Sequence, residues 1–235
     1  MKADKRDQHT VSIIRERLIQ GDPFIDLSYE RLGDVGIAFL SRQDLSHVIG
    51  LNLSWNEITS IGLKAFAENA KASNLKKLNL DANKIGNSGC AALANSSNLP
   101  SLNFLSLVKN WIGDEGALEL VKSSSLKQLE ILELELNQIG KKRISNYPDG
   151  TANLNLRRLN LKRNKITDEV LKNWIQTGAL TPLHSLNLGW NLISDIGAKA
   201  LSVTATVSQL RQLFLNSNYI KDDGALSLAG SSHLT

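Results

Sequence analysis

Residues 75–93 read LKKLNLDANKIGNSGCAAL, and near-copies of this stretch lie on both sides of it. The asparagine at its centre, Asn83, recurs as Asn56, Asn110, Asn137, Asn164, Asn191 and Asn218, always 27 residues from its neighbour. One step earlier Glu30 holds the same place, at a spacing of 26. A register held this strictly is the mark of a repeat array, in which each unit buries its apolar face only against its neighbours. Eight units follow, over residues 23–235.

We number each unit from its first leucine-type residue, so that the asparagine falls at slot 9. Slots 4 and 6 are apolar and alternate with variable slots 3, 5 and 7, the period of a short half-buried strand; Leu78 with Leu80 and Leu186 with Leu188 are examples. Strands of successive units are expected to stack in parallel, leucines inward, with slots 3, 5 and 7 lining one exposed, concave face. The slot-9 asparagine turns inward, where its amide satisfies backbone groups that would otherwise be buried unpaired, so no chemistry is assigned to it. Four residues after the slot-11 aliphatic comes a glycine in six of the eight units: Gly36, Gly62, Gly89, Gly116, Gly197 and Gly224. A helical run follows. It carries an apolar or aromatic residue eight places after slot 11, at Leu40, Phe66, Leu93, Leu120, Tyr147, Trp174, Leu201 and Leu228. Helices are therefore placed on the convex side.

The pattern L-x-x-L-x-L-x-x-N-x-I-G-x-x-G-A-x-x-L resembles the ribonuclease-inhibitor-like class of leucine-rich repeats. That class includes the repeats of NOD-like receptors, Ran GTPase-activating proteins and several effectors of intracellular bacterial pathogens. The resemblance covers residues 23–232 and implies a right-handed α/β solenoid, a horseshoe with parallel strands inside and helices outside. It specifies a scaffold and leaves the function open.

Two departures stand out. In the fifth unit Arg143 replaces the usual glycine, and Pro148 and Gly150 follow, so a full-length helix is not expected there. At the other end the next slot 1 would fall at position 237, and no atypical capping repeat is visible before Thr235. A piece of a longer protein is the expectation. At the start, residues 1–22 are read as a polar tail and a capping helix. Thr10 serves as N-cap, Val11, Ile14 and Leu18 form one face, and Gly21-Asp22-Pro23 stops the helix.

Composition narrows the function. The net charge of +4 is too small to argue for nucleic acid unless it is concentrated. Cys90 is the only cysteine, so an intrachain disulfide is excluded and a reducing compartment is favoured. The N-terminal stretch MKADKRDQHTVSIIRERL shows no apolar signal-peptide core, and no run approaches 18 apolar residues. A cytoplasmic location is expected, the host cytosol if the chain is a secreted bacterial effector. His9, His47, His184 and His233 make no metal-ligand or triad spacing with Cys90, which itself takes a small inward slot filled by Ala117, Ala198 and Ala225 in sister units. No phosphate loop or dinucleotide fingerprint appears. Neither enzyme activity, cofactor, metal, membrane nor small-molecule substrate is expected.

The aromatic residues carry the information about binding. Phe66, Tyr147 and Trp174 fill the helix core slot, and Phe39 is placed under the capping helix. The other eight sit at variable slots: Phe24 and Phe104 at slot 3, Phe214 at slot 5, Tyr29, Trp55 and Trp190 at slot 8, Trp111 and Tyr219 at slot 10. Sister units place Lys, Ser, Asn or Ala there, so the scaffold does not require aromatics, and exposed aromatics are the side chains that anchor protein interfaces. Along the chain they form three groups: Phe24, Tyr29 and Trp55, then Phe104 and Trp111, then Trp190, Phe214 and Tyr219.

Charge separates the last two groups. Glu130, Glu133 and Glu135 lie on strand five, Arg157, Arg158, Lys162, Arg163 and Lys165 on strand six and its loop. Glu135 and Lys162 share slot 7 of adjacent units and are expected side by side. From Lys141 to Lys165 eight basic residues and one aspartate give 8 − 1 = +7. One reading is a solvated face whose neighbours neutralise each other. The other is a bipolar stripe that orients a partner.

The function expected is to bind another protein across the concave face and its flanking loops. Resemblance to ribonuclease inhibitor implies inhibition or regulation of an enzyme. A GTPase-activating protein of the Ran-regulator type and a ligand-sensing segment of a larger receptor are the alternatives.

Overall fold

The computed structural model describes residues 5–140 and 155–234. Each unit contributes slots 3–5 to a three-residue strand. These are β1 (Phe24–Asp26), β2 (Gly50–Asn52), β3 (Lys77–Asn79), β4 (Phe104–Ser106), β5 (Ile131–Glu133), β6 (Arg158–Asn160), β7 (Ser185–Asn187) and β8 (Gln212–Phe214). They form one parallel sheet in the order β1 to β8, and the register pairs like slots, Leu78 with Leu51 on one side and Leu105 on the other. Parallel pairing of neighbours requires a crossover in every unit. The crossovers described contain α2 (Gly33–Leu40), α3 (Ser60–Asn69), α4 (Gly86–Ala94), α5 (Asp114–Lys122), α6 (Asp168–Gln176) and α7 (Asp195–Ser202), and α8 (Asp222–Ala229) follows the last strand. Helices α2 to α5 pack side by side in chain order, as do α6 to α8. The result is an α/β solenoid.

The core runs lengthwise between sheet and helices. Slot 4 (Ile25, Leu51, Leu78, Leu105, Leu132, Leu159, Leu186) and slot 6 (Leu27, Leu53, Leu80, Leu107, Leu134, Leu161, Leu188) are buried, with Phe66 and Trp174 closing it from the helix side. Burying each such leucine contributes roughly 1.5–3 kcal/mol, and the repeat multiplies that term along the array.

Polar side chains then stitch one unit to the next. Asn83 Oδ1 accepts the N–H groups of Asn56 (3.0 Å) and Ile58 (2.9 Å), and its Nδ2 donates to the carbonyls of Leu53, Leu80 and Asp81. The same donors recur at Asn56, Asn110, Asn137, Asn164, Asn191 and Asn218. A second ladder lies at slot 13 and was not read from the sequence. Asp34 accepts Thr59 N–H (2.8 Å), Asn87 accepts Gly113 N–H (2.8 Å), Asp114 accepts Gly140 N–H (2.6 Å) and Asp195 accepts Lys221 N–H (2.7 Å). Each satisfies a donor at or just before the N-terminus of the following unit's convex segment, where helical donors lack intrahelical partners.

That ladder explains the recurrent glycine at four of its positions. A Cβ at Gly62 would lie 2.5 Å from Asp34 Oδ1, and one at Gly116 would lie 2.8 Å from Asn87 Oδ1; Gly197 and Gly224 meet Asp168 and Asp195 in the same way. At these four positions the preceding unit's cap occupies the space, whereas a Cβ at Gly89 would meet Ile85 and Leu63 instead.

At the N-terminal end, helix α1 (Lys5–Ile19) lies on the first unit, burying Ile14 and placing the Arg15 guanidinium 5.5 Å from the Phe39 ring centroid. One expectation is corrected. Thr10 is not the N-cap: the helix begins at Lys5, and Thr10 is a buried mid-helix residue whose methyl would meet a Cβ at Gly36 at 2.6 Å. The small glycine surface lets α1 approach, and packing overrides the capping preference. Arg143, Tyr147, Pro148 and Gly150, and with them the expected irregular segment, lie outside the described residues.

Candidate partner-binding surface

The geometry of the surface is set at slot 8. Strict alternation after slot 7 would point slot 8 inward and slot 9 outward. The structure does the reverse. Slot 8 has positive φ in all eight units: Tyr29 (63°), Trp55 (58°), Ala82 (52°), Lys109 (58°), Leu136 (58°), Arg163 (54°), Trp190 (57°) and Ser217 (56°). Its N–H still continues the ladder, donating to the slot-7 carbonyl of the next unit, as Trp55 does to Asp81 (2.9 Å) and Lys109 to Glu135 (2.9 Å). The left-handed residue therefore resets the phase, turning the asparagine inward and throwing the slot-8 side chain out onto a rim beside the sheet. This conformation costs a non-glycine residue on the order of 1–2 kcal/mol. Tryptophan and tyrosine nevertheless hold three of the eight positions.

The rim side chains interact along the array. Tyr29 and Trp55 stack with centroids 5.4 Å apart and planes 10° apart. Ala82 comes next and is small, which lets Lys109, two units from Trp55, set its Nζ 4.7 Å from the Trp55 ring centroid. Trp111, at slot 10 and also at positive φ (60°), closes the far side. Between them is a hollow of about 390 Å³, lined also by Arg31, Glu57 and Lys84. Farther along, the Arg163 guanidinium lies 5.2 Å from the Trp190 ring centroid.

Three of the aromatics lie on the sheet itself. Phe24 lies across Gly50 of the adjacent strand, where a Cβ would meet the Phe24 ring at 2.5 Å. It shares a shallow depression of about 320 Å³ with Lys77 and Phe104. Phe104 is half-buried, whereas Phe24, Phe214 and the rim residue Tyr219 are exposed. The eight aromatics therefore divide by edge and floor, and not into three groups along the chain. Trp111 belongs with Tyr29 and Trp55, and Phe104 belongs with Phe24.

The charges also separate. Lys162 Nζ lies 3.4 Å from Glu135 Oε1, both partly buried, so this slot-7 pair is adjacent as expected. Glu133 is half-buried at slot 5 of β5, while exposed Arg163 turns to the rim and covers Trp190. Arg157, Arg158, His184 and Arg211 gather with Glu130 around a hollow of about 370 Å³ at the opposite ends of the strands. Asp81, at slot 7, was not singled out in the sequence. Burial pushes its carboxyl above the usual range, although Ser106 Oγ (2.5 Å) and Val108 N–H (2.8 Å) donate to it and pull the other way; the charge of Glu135 adds to the rise. Residues that sequence reasoning missed at this surface, Arg31, Glu57, Ala82, Lys84 and Lys109, all occupy slots 8 and 10. Following those two slots through every unit, and not the aromatics alone, would have found them.

Cys90 is fully buried in α4, and burial pushes its thiol well above its ordinary value, so the thiolate is disfavoured. Among the described residues no three His, Cys, Asp or Glu side chains gather at metal-binding distance, and no helix is long and apolar enough to cross a membrane.

Eight parallel strands in one sheet, backed by helices and stitched by an asparagine ladder, define a repeat solenoid. A model of the Leucine Rich repeat family matches residues 45–67, 71–94, 98–121, 152–171 and 179–202. The chain is also similar to internalin C2 of Listeria monocytogenes, known from its crystal structure, at 29% identity and a TM-score of 0.55, over 86% of this chain and 73% of that one. A search of curated protein sequences finds no match. The repeat matches and this structural likeness support a leucine-rich-repeat family. Protein–protein interaction is the activity such a scaffold supports.

Proposed function

We propose that the chain binds a partner protein across the sheet face and the slot-8 and slot-10 rim, and that it regulates an enzyme by covering its active site. One observation carries the reading. Tyr29, Trp55 and Trp190 keep large aromatic rings at backbone positions that disfavour them, half or more exposed in two cases, at 66% for Tyr29 and 50% for Trp190, and 45% exposed at Trp55. Local conflict of this kind is retained where function requires it. A standard interface of about 1,200–2,000 Å² takes roughly 20–30 residues a side, which several units supply together. The buried, unpaired Cys90 supports work in a reducing cytosol.

The test is affinity capture from source-cell lysate by the wild type beside a folded triple variant, Trp55→Ala, Trp111→Ala, Trp190→Ala. A partner held by the first and lost by the second supports the reading, and that partner is then assayed for inhibition. Single truncations are expected to cost about 2 kcal/mol each if these are anchors. Losses below ~0.5 kcal/mol at all three would sink the assignment.

A further inference from the structure

The hollow between Trp55 and Trp111 has a shape and a charge that name a ligand class more sharply than the fold does. Ala82 forms its base, and the larger slot-8 side chains of the flanking units, Trp55 and Lys109, rise on either side. Trp55 stacks nearly parallel on Tyr29 at 5.4 Å, and Tyr29 also lines the hollow, so the Trp55 ring is ordered before any ligand arrives. At about 390 Å³ the space is of the size that takes a compact ligand or a single large side chain. Around its mouth stand Arg31, Lys84 and Lys109 against one acid, Glu57, for 3 − 1 = +2. Lys109 rests on the Trp55 face, a contact that is exposed and easily exchanged for a carboxylate.

Resting on the protein-binding reading above, we infer that this hollow receives an aromatic side chain of the partner flanked by Asp or Glu: the ring enters between Trp55 and Trp111 over Ala82, and Lys109 and Lys84 meet the carboxylates. Aromatic walls supply the stacking, and the cationic mouth supplies the discrimination, because complementary charge selects partners more than it adds affinity.

The probes are three capped tripeptides, Glu-Phe-Glu, Lys-Phe-Lys and Glu-Ala-Glu, with adenosine monophosphate as a fourth. The chain contains four tryptophans, so its indole N–H resonances report each site separately, and buried Trp174 and distant Trp190 act as internal references. A ligand this small binds in the millimolar range. Glu-Phe-Glu is expected to shift Trp55 and Trp111 alone, at least about tenfold more tightly than either other peptide and more weakly as salt rises. Ala82→Trp fills the hollow with a residue that slot 8 already carries in two sister units, and it should abolish the shifts while leaving the Trp174 resonance in place. No shift with Glu-Phe-Glu, equal shifts with Lys-Phe-Lys, or shifts with the nucleotide alone would overturn the inference. If the tripeptide fails while a captured partner still depends on Trp55 and Trp111, only this inference falls. If capture is indifferent to the tryptophans, the broader reading falls.

Discussion

Replacing Asn83 by alanine tests whether the asparagine ladder holds the array together. Asn83 is 4% exposed, and its Oδ1 is the acceptor for two buried N–H groups of the preceding unit, those of Asn56 and Ile58. Alanine leaves both donors without a partner, at roughly 1–3 kcal/mol each. The carbonyls of Leu53 and Leu80 lose a donor too, but a carbonyl tolerates this better than an N–H does. The expected loss is therefore about 2–6 kcal/mol, a large part of the ~5–15 kcal/mol stability of an ordinary domain. Asn218 supplies the control, since it is only partly buried and accepts a single backbone donor, Ile193 N–H (3.1 Å). Water can replace it there, and Asn218→Ala should cost no more than ~1 kcal/mol. Urea unfolding followed by far-ultraviolet circular dichroism compares the two. A cost under ~1 kcal/mol at Asn83, or equal costs at both positions, would refute the reasoning.

Other outcomes follow from the same geometry. Gly197→Ala, which at an exposed helix site would stabilise by up to ~1 kcal/mol, should instead destabilise by about 1–3 kcal/mol, because its Cβ meets the Asp168 carboxylate that caps Ser194 and Gly197. Thermal melts of a double-mutant cycle with Asp168→Ala should show that cost shrinking once the carboxylate is gone. Ala82→Gly relieves a residue held at φ 52° and should raise stability by roughly 0.5–1 kcal/mol; a drop in the urea midpoint would contradict the left-handed assignment at slot 8. Asp81 has a raised carboxyl pKa in the fold, so its protonated form is favoured there, and its contribution is greatest below the unfolded value and is lost as pH rises through the folded one. Asp81→Asn keeps an acceptor for Ser106 and Val108 without the buried charge. Chemical denaturation should find it at least as stable as the wild type at neutral pH, with the difference closing as pH falls below the carboxylate range.

The solenoid was legible because its signals are local and repeated: leucines at slots 4 and 6 and an asparagine every 27 residues leave one way to bury the apolar face. The slot-9 role followed from the need to satisfy buried backbone. The rim aromatics Tyr29, Trp55 and Trp190 were legible as surface positions, but their backbone was not, because nothing about Trp55, Lys109 or Arg163 suggests a left-handed conformation, which propensity reserves for glycine and asparagine. That conformation is imposed from both sides, by the N–H that must reach the next unit's slot-7 carbonyl and by the asparagine that must turn inward. The slot-13 caps were present as spacing, Asp168 then Asp195, yet their meaning depends on the glycine of the following unit, a contact about 29 residues away in sequence. Grouping the aromatics along the chain likewise missed that Ala82 opens a gap across which Trp55 and Trp111 face one hollow.

The central claim is that the sheet face and its slot-8 rim, and not the helix side, contact the partner. Hydrogen–deuterium exchange on the captured complex, compared with the free chain, tests it most directly. Added protection over residues 52–57, 79–84, 106–111 and 187–192, with α3, α4, α5 and α7 unchanged beyond those segments, is the predicted result. Protection confined to the helices, with the rim exchanging as in the free chain, would contradict it.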